Sequence, residues 1–545
     1  MSRKHMTVSR RSFLKAAGMS ALALAGGRVF GAEAAASAER PNILWIITDE
    51  HRYDTIRAYG KNSWVQSPSL DALAAEGTVF TEAYCQSPLC VASRMSMLTG
   101  RYPHNTGVYA FENSHPDIDG AVPFFTELLH KGGYDVVNFG KEHHNRVVSK
   151  KAPYDPTGKW FNYLNAFPTK DITPIKRYGI QEEANPSALI KGADREGELG
   201  VLRRYLTDKK LIIGGTNPVS AEETLSATLN SRAMEYLSTE APKDKPLFLR
   251  MSYIYPHTPV LPPKPYDTLY DPKKIPLPEV SEDEINGFGV QTKQAYSNLR
   301  VHGMKEDEIR KLRADYYGLA AYADYEIGRI IDAFKAYSGK RPWLILFTTD
   351  HGNMLGEHGM QEKFTFFDES VHVPLIVASS DGRIPRGKKC ASFAELVDLA
   401  PTFLAAAGVA LPNHLDGKDL ADIARGTAER NEVISEKKTY GHRAMLRTKE
   451  WSFEMQVGKE PLKGPVLKPA DIAWMGTASL AELDVSLFDR TKDPREVRDL
   501  GRLPEYQKTC DELRKRLYAR IMTEGRIEYD WWQDVKNPPN AAKGK

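Results

Sequence analysis

Cys90 lies in the stretch SPLCVASRMSMLTGRYPHNTG, with Ser93, Arg94 and a Thr99-Gly100 pair just downstream. The nearest other cysteine is Cys85, and the two do not form a CxxC. A cysteine in this setting can be a thiolate nucleophile, half of a disulfide, a metal ligand or the substrate of a modification. A thiol hydrolase needs a base paired to the thiolate, whereas Arg94 suits an oxyanion.

Acids and imidazoles gather at the ends of three apolar runs. NILWIITDEH ends at Asp49 and Glu50, PLFLRMSYIYPHTP at His257, and PWLILFTTDHGN at Asp350 and His351. One Asp after a strand is commonly a helix cap or turn former. Three such ends in one crevice would instead crowd carboxylates that repel unless protonated or neutralised by a cation. A hard divalent ion resolves the conflict. Oxygen-rich ligation favours Ca²⁺ or Mg²⁺, and the histidine leaves Mn²⁺ open. Zinc is disfavoured, because the chain has no HExxH and no cysteine ligand cluster.

A second set is basic. GGYDVVNFGKEHH supplies Lys141, His143 and His144, and GMQEKFTFF supplies Lys363. Singly, such residues are usually solvated loop side chains. With Arg94 and His257 they could clamp an anion, Arg on planar oxyanions and Lys as a point charge. A metal with several cations around one nucleophile is the logic of sulfuryl or phosphoryl transfer.

The elements that carry these residues read as α/β. Short, solidly apolar runs suit central strands buried on both faces of a parallel sheet. Helical segments fall between them at residues 69–76, 124–131, 221–238 and 306–337. The alternation predicts a doubly wound, largely parallel central sheet flanked by helices, with ligands bound outside the carboxyl ends of the strands. Residues 394–411 read as a packed helix, interrupted by Glu395, Asp398 and Pro401. Beyond residue 411, NEVISE, RAMLRT, WSFEMQV and SLFD read as a smaller antiparallel sheet, and residues 505–521 as a helix packed on it.

The chain has 545 residues, 41% hydrophobic and 27% charged, enough for a large core. A formal net charge of +3 with no basic stripe argues against nucleic acid. Four cysteines are too few for a disulfide scaffold. SRRSFLK precedes a short apolar run and small-residue sites such as Ala36-Ser37-Ala38, which reads as a twin-arginine export signal. The expected organisation is therefore a signal peptide over 1–38, a catalytic α/β domain over 41–410, a C-terminal antiparallel-sheet subdomain over 411–530 and a tail over 531–545. The expected location is periplasmic or secreted, reached through the Tat translocon, with no stable membrane insertion after processing.

These residues resemble the type I sulfatase family of the alkaline phosphatase superfamily. That family's first signature is Cys (or Ser), any residue, Pro, Ser, Arg, and later Thr-Gly. Here it stands as Cys90-Val91-Ala92-Ser93-Arg94 with Thr99-Gly100. The second signature stands as Gly133-Tyr134-Asp135-Val136 with Gly140-Lys141-Glu142-His143. NILWIITDEHRYD, SPSLDALAAEGTVFTEAYC, PHTP, TTDHGNMLGEHG and SLFDRTKDPREVRDL are similar to further landmarks, in family order, so the resemblance spans about Pro41 to Arg516.

The resemblance implies that a formylglycine-generating (sulfatase-maturating) enzyme oxidises Cys90 to an aldehyde. One hydroxyl of its hydrate attacks sulfur, and loss of a proton from the other expels sulfate. It implies Asp49, Glu50, Asp350 and His351 as metal ligands, with converted Cys90 in the same shell. Arg94 would hold the diol, and Lys141 and Lys363 would bind sulfate oxygens. His143 would deprotonate the diol, with His144 as the alternative, and His257 would contact sulfate and protonate the leaving oxygen. Departures are Val91 and Ala92, where the family has a small residue and Pro, Glu50 for Asp or Gln, Val136 for Thr, and His351 for Asn. The Asp350-His351 form is similar to choline sulfatases, iduronate sulfatases and phosphonate monoester hydrolases. The expected substrate is a sulfated small molecule or carbohydrate. The alternatives are a phosphonate monoesterase or phosphodiesterase with the same site, and an inactive homologue that binds sulfated glycans. Residues 147–211 and the loop KKTYGHR, through Tyr440 and His442, are candidate specificity walls.

Overall fold

The computed structural model describes residues 39–109, 123–141, 198–206, 209–299, 301, 304–413, 415–458 and 469–523. The expected export signal, His143, His144, most of 147–211 and the expected tail lie outside the described residues. Residues from Pro41 onward form one compact unit.

Its centre is a seven-stranded sheet. Across the sheet the order is Lys388–Cys390, Gly77–Phe80, Leu375–Ser379, Trp343–Thr349, Asn42–Thr48, Leu247–Ser252 and Asp135–Gly140. The last four are mutually parallel neighbours. Only Leu375–Ser379 runs against both of its neighbours. The three apolar runs of the sequence thus lie side by side in the middle of the sheet. Their solid apolar character has a plain cause. Ile43, Trp45 and Ile47 pack on one face with Met95, Phe125 and Phe403. Leu44 and Ile46 pack on the other with Leu70, Ile327, Ile330 and Phe334. A strand covered on both faces has no position where a polar residue is free to point at water. At roughly 1.5–3 kcal/mol per buried Leu, Ile or Phe side chain, this burial outweighs local propensity.

The helix expected over 221–238 is broken near its start. Thr224 is extended (φ −65°, ψ 161°), and its Oγ1 accepts the Ala227 N–H at 3.2 Å, capping a helix at Leu225–Thr239 behind a short 3-10 turn. The expected 394–411 helix shrinks to Leu399–Ala406. Glu395 and Asp398 precede it because both are buried partners of Arg430. The strands Gly77–Phe80, Leu375–Ser379 and Lys388–Cys390 were not among the sequence expectations, nor was the hairpin Leu202–Leu206/Lys209–Gly214.

The C-terminal sheet is antiparallel, in the order Val433–Lys437, Arg443–Arg447, Trp451–Gln456 and Ser486–Asp489. Cys510, Leu513, Leu517 and Ile521, spaced three and four apart on the helix Gln507–Thr523, pack with Leu446, Phe453 and Leu487. The helix starts later than its sequence pattern suggests, because Pro504–Tyr506 forms a 3-10 turn. Among the described residues, no helix is long and apolar enough to cross a membrane.

Candidate active site

Four adjacent parallel strands deliver their polar ends to one place. Asn42–Thr48 leads into Asp49 and Glu50, and Trp343–Thr349, in register at Thr48 and Thr349, leads into Asp350 and His351. Leu247–Ser252 leads towards His257, and Asp135–Gly140 leads into Lys141. Gly140 is required there. Its φ is +101°, and a Cβ would fall 2.0 Å from the Ser252 carbonyl oxygen.

Cys90 enters from the other side as the first residue of the buried helix Cys90–Thr99. The positive end of that helix favours an anion at this point. The Cys90 Sγ lies 3.1 Å from His351 Nε2, 3.5 Å from Lys363 Nζ and 3.8 Å from Asp49 Oδ1. Cys85, Cys90, Cys390 and Cys510 are all free thiols. Burial and Asp49 push the Cys90 thiol up, but Lys363, Lys141 and His351 together hold it well below the ordinary thiol value.

Arg94 sits one helical turn further on and grips both strand-end aspartates. Its Nη2 donates to Asp49 Oδ2 at 2.9 Å and its Nε to Asp350 Oδ2 at 2.8 Å. Nη1 adds the Ser252 hydroxyl at 3.0 Å. Lys141 Nζ also reaches Asp49 Oδ2, at 2.5 Å. Burial raises the Asp49 carboxyl, yet Lys141, His257, Arg94 and Lys363 bring it well below the usual range. Asp350 goes the other way. Burial and then the charge of Asp49 raise it against His351 and Arg94. Burial disfavours a charged His351, but Asp350 and Cys90 push it up to about 9.

Glu50 is left-handed (φ 60°) and fully buried. It pairs with Lys363, accepts the Asn353 amide at 2.7 Å, and lies 3.4 Å from His257 Nε2. The Tyr316 hydroxyl donates to its backbone carbonyl. His257, with its side chain 28% exposed, is the group of this cluster nearest to solvent. It lies 3.2 Å from Lys363 Nζ.

The structure thus brings together Asp49, Glu50, Cys90, Arg94, Lys141, His257, Asp350, His351 and Lys363. It adds Asn353, Ser252 and Tyr316, which the sequence reading did not single out, and gives a contact to Ser93, named there only as part of the motif. Ser93 Oγ donates to the Asp350 carbonyl at 2.6 Å. Asn353 stood in plain view in TTDHGN, two residues past His351, but nothing local marks an amide as a carboxylate's partner. His442 is buried against Tyr109, with ring centroids 4.4 Å apart.

The donor set fits a hard divalent cation. One ligand atom each from Asp49, Cys90, Asp350 and His351 lies within 4.8 Å of the others, as does one each from Asp49, Glu50 and His257. His351 Nδ1 lies 3.0 Å from the Gly352 carbonyl, leaving Nε2 turned into the cluster.

The loop carrying Lys363 is pinned at its base by His358. Its Nδ1 lies 2.5 Å from Glu284, its Nε2 3.6 Å from Glu369, and its ring stacks on Phe367 at 3.7 Å. Burial lowers the imidazole, but hydrogen bonds to Glu284 and Glu369 win and push it up to about 9 from 6.5. A pKa raised on folding gives stability that is complete below the unfolded value and lost as pH rises through the folded one. Urea melts are therefore expected to show wild type losing about 3 kcal/mol relative to His358→Gln between about pH 6 and about pH 9.5. A pH-independent difference would refute a charged His358.

Comparison with known proteins agrees with this geometry. The profile of the Sulfatase family matches residues 41–409. The chain belongs to the sulfatase family. Its enzyme class is accordingly sulfuric ester hydrolysis, within the alkaline phosphatase superfamily. An arylsulfatase of Clostridium perfringens is 28% identical over 516 residues, covering 90% of this chain and 95% of the relative. Human iduronate 2-sulfatase is 28% identical over 415 residues, covering 68% and 70%. The solved structure of a phosphonate monoester hydrolase from Silicibacter pomeroyi superposes with a TM-score of 0.64 at 26% identity, covering 88% of this chain and 95% of that one.

Proposed function

We propose that this sulfatase is exported and hydrolyses the sulfate ester of a carbohydrate, using formylglycine made from Cys90 and a bound Ca²⁺. The observation that carries this reading is the position of Cys90. It stands at a helix N-terminus, with Asp49, Asp350, His351 and Lys363 gathered around it. Formylglycine would supply a hydrated aldehyde, one hydroxyl to attack and one to release sulfate. Asp49, Asp350 and His351, with Glu50 as a further donor, would hold the cation, which would neutralise charge on the sulfate oxygens.

The chain's own groups do the rest. Arg94 orients the two aspartates. Lys141 and Lys363 now rest on Asp49 and Glu50, and a cation on those carboxylates would free both ammoniums for sulfate oxygens. His257, at the solvent edge, is placed to contact sulfate and to pass a proton to the departing alcohol. His143 is the candidate base for residue 90. Cys90 has no exposed surface in the fold. That burial supports conversion before folding, which suits a Tat signal that exports an already folded protein to the periplasm. The carbohydrate assignment leans on the iduronate 2-sulfatase relative.

A second reading has its own support. The Asp350-His351 pair and the Silicibacter neighbour fit phosphonate monoester hydrolysis at the same site. Turnover of paired aryl sulfate and aryl phosphonate monoesters separates the two. The expected result is higher kcat/KM on the sulfate, lost on chelation and restored by Ca²⁺. Faster phosphonate cleavage would reverse the assignment, and restoration only by Mn²⁺ would replace the proposed ion.

A further inference from the structure

Lys363 reaches the site from a loop, not from a strand end. Its neighbours Glu362 and Phe364 are both left-handed, at φ 61° and 75°. A left-handed non-glycine residue is strained, so the surroundings must hold the loop in this shape. Met354 N–H donates to the Glu362 carbonyl at 2.6 Å. Thr365 Oγ1 lies 3.1 Å from Met354 Sδ, and further contacts come from the C-terminal sheet and its first turn. Lys437 Nζ donates to the Phe364 carbonyl at 2.7 Å, and Arg447 Nη2 donates to the Phe366 carbonyl at 3.0 Å. The Tyr440 ring meets the Phe364 ring edge-on at 6.0 Å.

Lys437 ends the strand Val433–Lys437 and is almost fully buried. Its ammonium lies 5.1 Å from the centre of the Phe366 ring, and it donates to the backbone carbonyl of the residue next to Lys363. A buried lysine is expensive to desolvate, and the hydrogen bond to the Phe364 carbonyl helps to offset that cost here. We propose that Lys437 is a positioning residue for sulfate-ester hydrolysis: by holding the Phe364 carbonyl it fixes the turn that aims Lys363 at residue 90. The C-terminal sheet would then be part of the oxyanion site, although none of its side chains touches Cys90. The inference rests on the sulfatase reading above.

A double-mutant cycle tests it. Lys437→Met, Lys363→Met and the double variant are compared in kcat/KM for a sulfate ester, in inhibition by inorganic sulfate and in thermal midpoint. Lys437→Met is expected to lower kcat/KM about 10-fold and to weaken sulfate inhibition alike. In the Lys363→Met background the same change should cost less than about 2-fold. Equal losses in both backgrounds, or a folded Lys437→Met with wild-type kinetics, would overturn the proposal. If Lys437→Met does not fold, Lys437→Gln carries the same cycle, with a loss of about 3-fold that again vanishes without Lys363. Wild type that neither hydrolyses sulfate esters nor binds sulfate would defeat the sulfatase reading itself, a different outcome from an active enzyme with additive losses.

Discussion

Cys90→Ser is expected to lower steady-state hydrolysis of a sulfate ester by about 10³-fold or more, with the fold intact. The substitution exchanges one small buried side chain for another at the start of the helix Cys90–Thr99, so packing changes little. What it removes is the thiol that a maturation enzyme would oxidise. A single hydroxyl at position 90 can still attack sulfur, but it leaves no second hydroxyl to expel sulfate. The variant should therefore stall as a sulfate ester on residue 90, visible by mass spectrometry after exposure to substrate. Cys90→Ala should be as slow and carry no adduct. In wild type, the peptide containing residue 90 should show an aldehyde that a hydrazine probe captures. An intact thiol at full activity would sink the formylglycine mechanism.

The electrostatics make that last outcome worth excluding by experiment. Lys363, Lys141 and His351 hold the Cys90 thiol well below its ordinary pKa against burial and Asp49. An unconverted Cys90 would thus ionise more readily than an ordinary thiol. That is a handicap for a nucleophile, because nucleophilicity falls with pKa. The cradle suits charge that must be bound and then released, as on a sulfate, better than it suits a thiolate that must attack.

The fold class and the grouping of the candidate site were both legible in the sequence, but several of the surrounding strands were not. Asp49, Asp350 and Lys141 directly follow strands, and His257 lies a short way beyond one, so apolar runs with polar ends pointed to one crevice. Cys90 and Arg94 were marked by their motif. Leu375–Ser379 went unread although PLIVASS is apolar, because it runs opposite to its neighbours and brings no chemistry to the crevice. Tyr316 was hidden for another reason. It lies within the long helix Glu306–Ser338, where a tyrosine looks like ordinary packing, and only the tertiary fold shows its hydroxyl on the Glu50 carbonyl. Lys437 was equally silent. Its loop was flagged for Tyr440 and His442, yet the strand end before them makes the contact to the Lys363 loop.

Arg94→Met should have the second-largest effect, and it should appear first in metal binding. Arg94 takes the Oδ2 atoms of both Asp49 and Asp350. The Oδ1 atoms are thereby left for the cluster. Asp49 Oδ1 is the atom near Cys90, and Asp350 Oδ1 accepts the backbone N–H groups of Glu50 and His351. Removing the guanidinium frees two buried carboxylates to rotate and repel. The expected results are a 10–100-fold weaker hold on Ca²⁺, an equal or larger fall in kcat/KM, and a loss of about 3–5 kcal/mol in the metal-free protein. Added Ca²⁺ should recover part of that stability, since a cation between the aspartates replaces some of the lost charge. Arg94→Lys separates charge from geometry. An ammonium can neutralise one carboxylate but cannot fork to two, so Arg94→Lys should regain stability while Ca²⁺ affinity stays low. If Arg94→Lys instead matches wild type in both, Arg94 acts only as a charge. If Arg94→Met binds Ca²⁺ as tightly as wild type, the ligands are set by the strand ends alone.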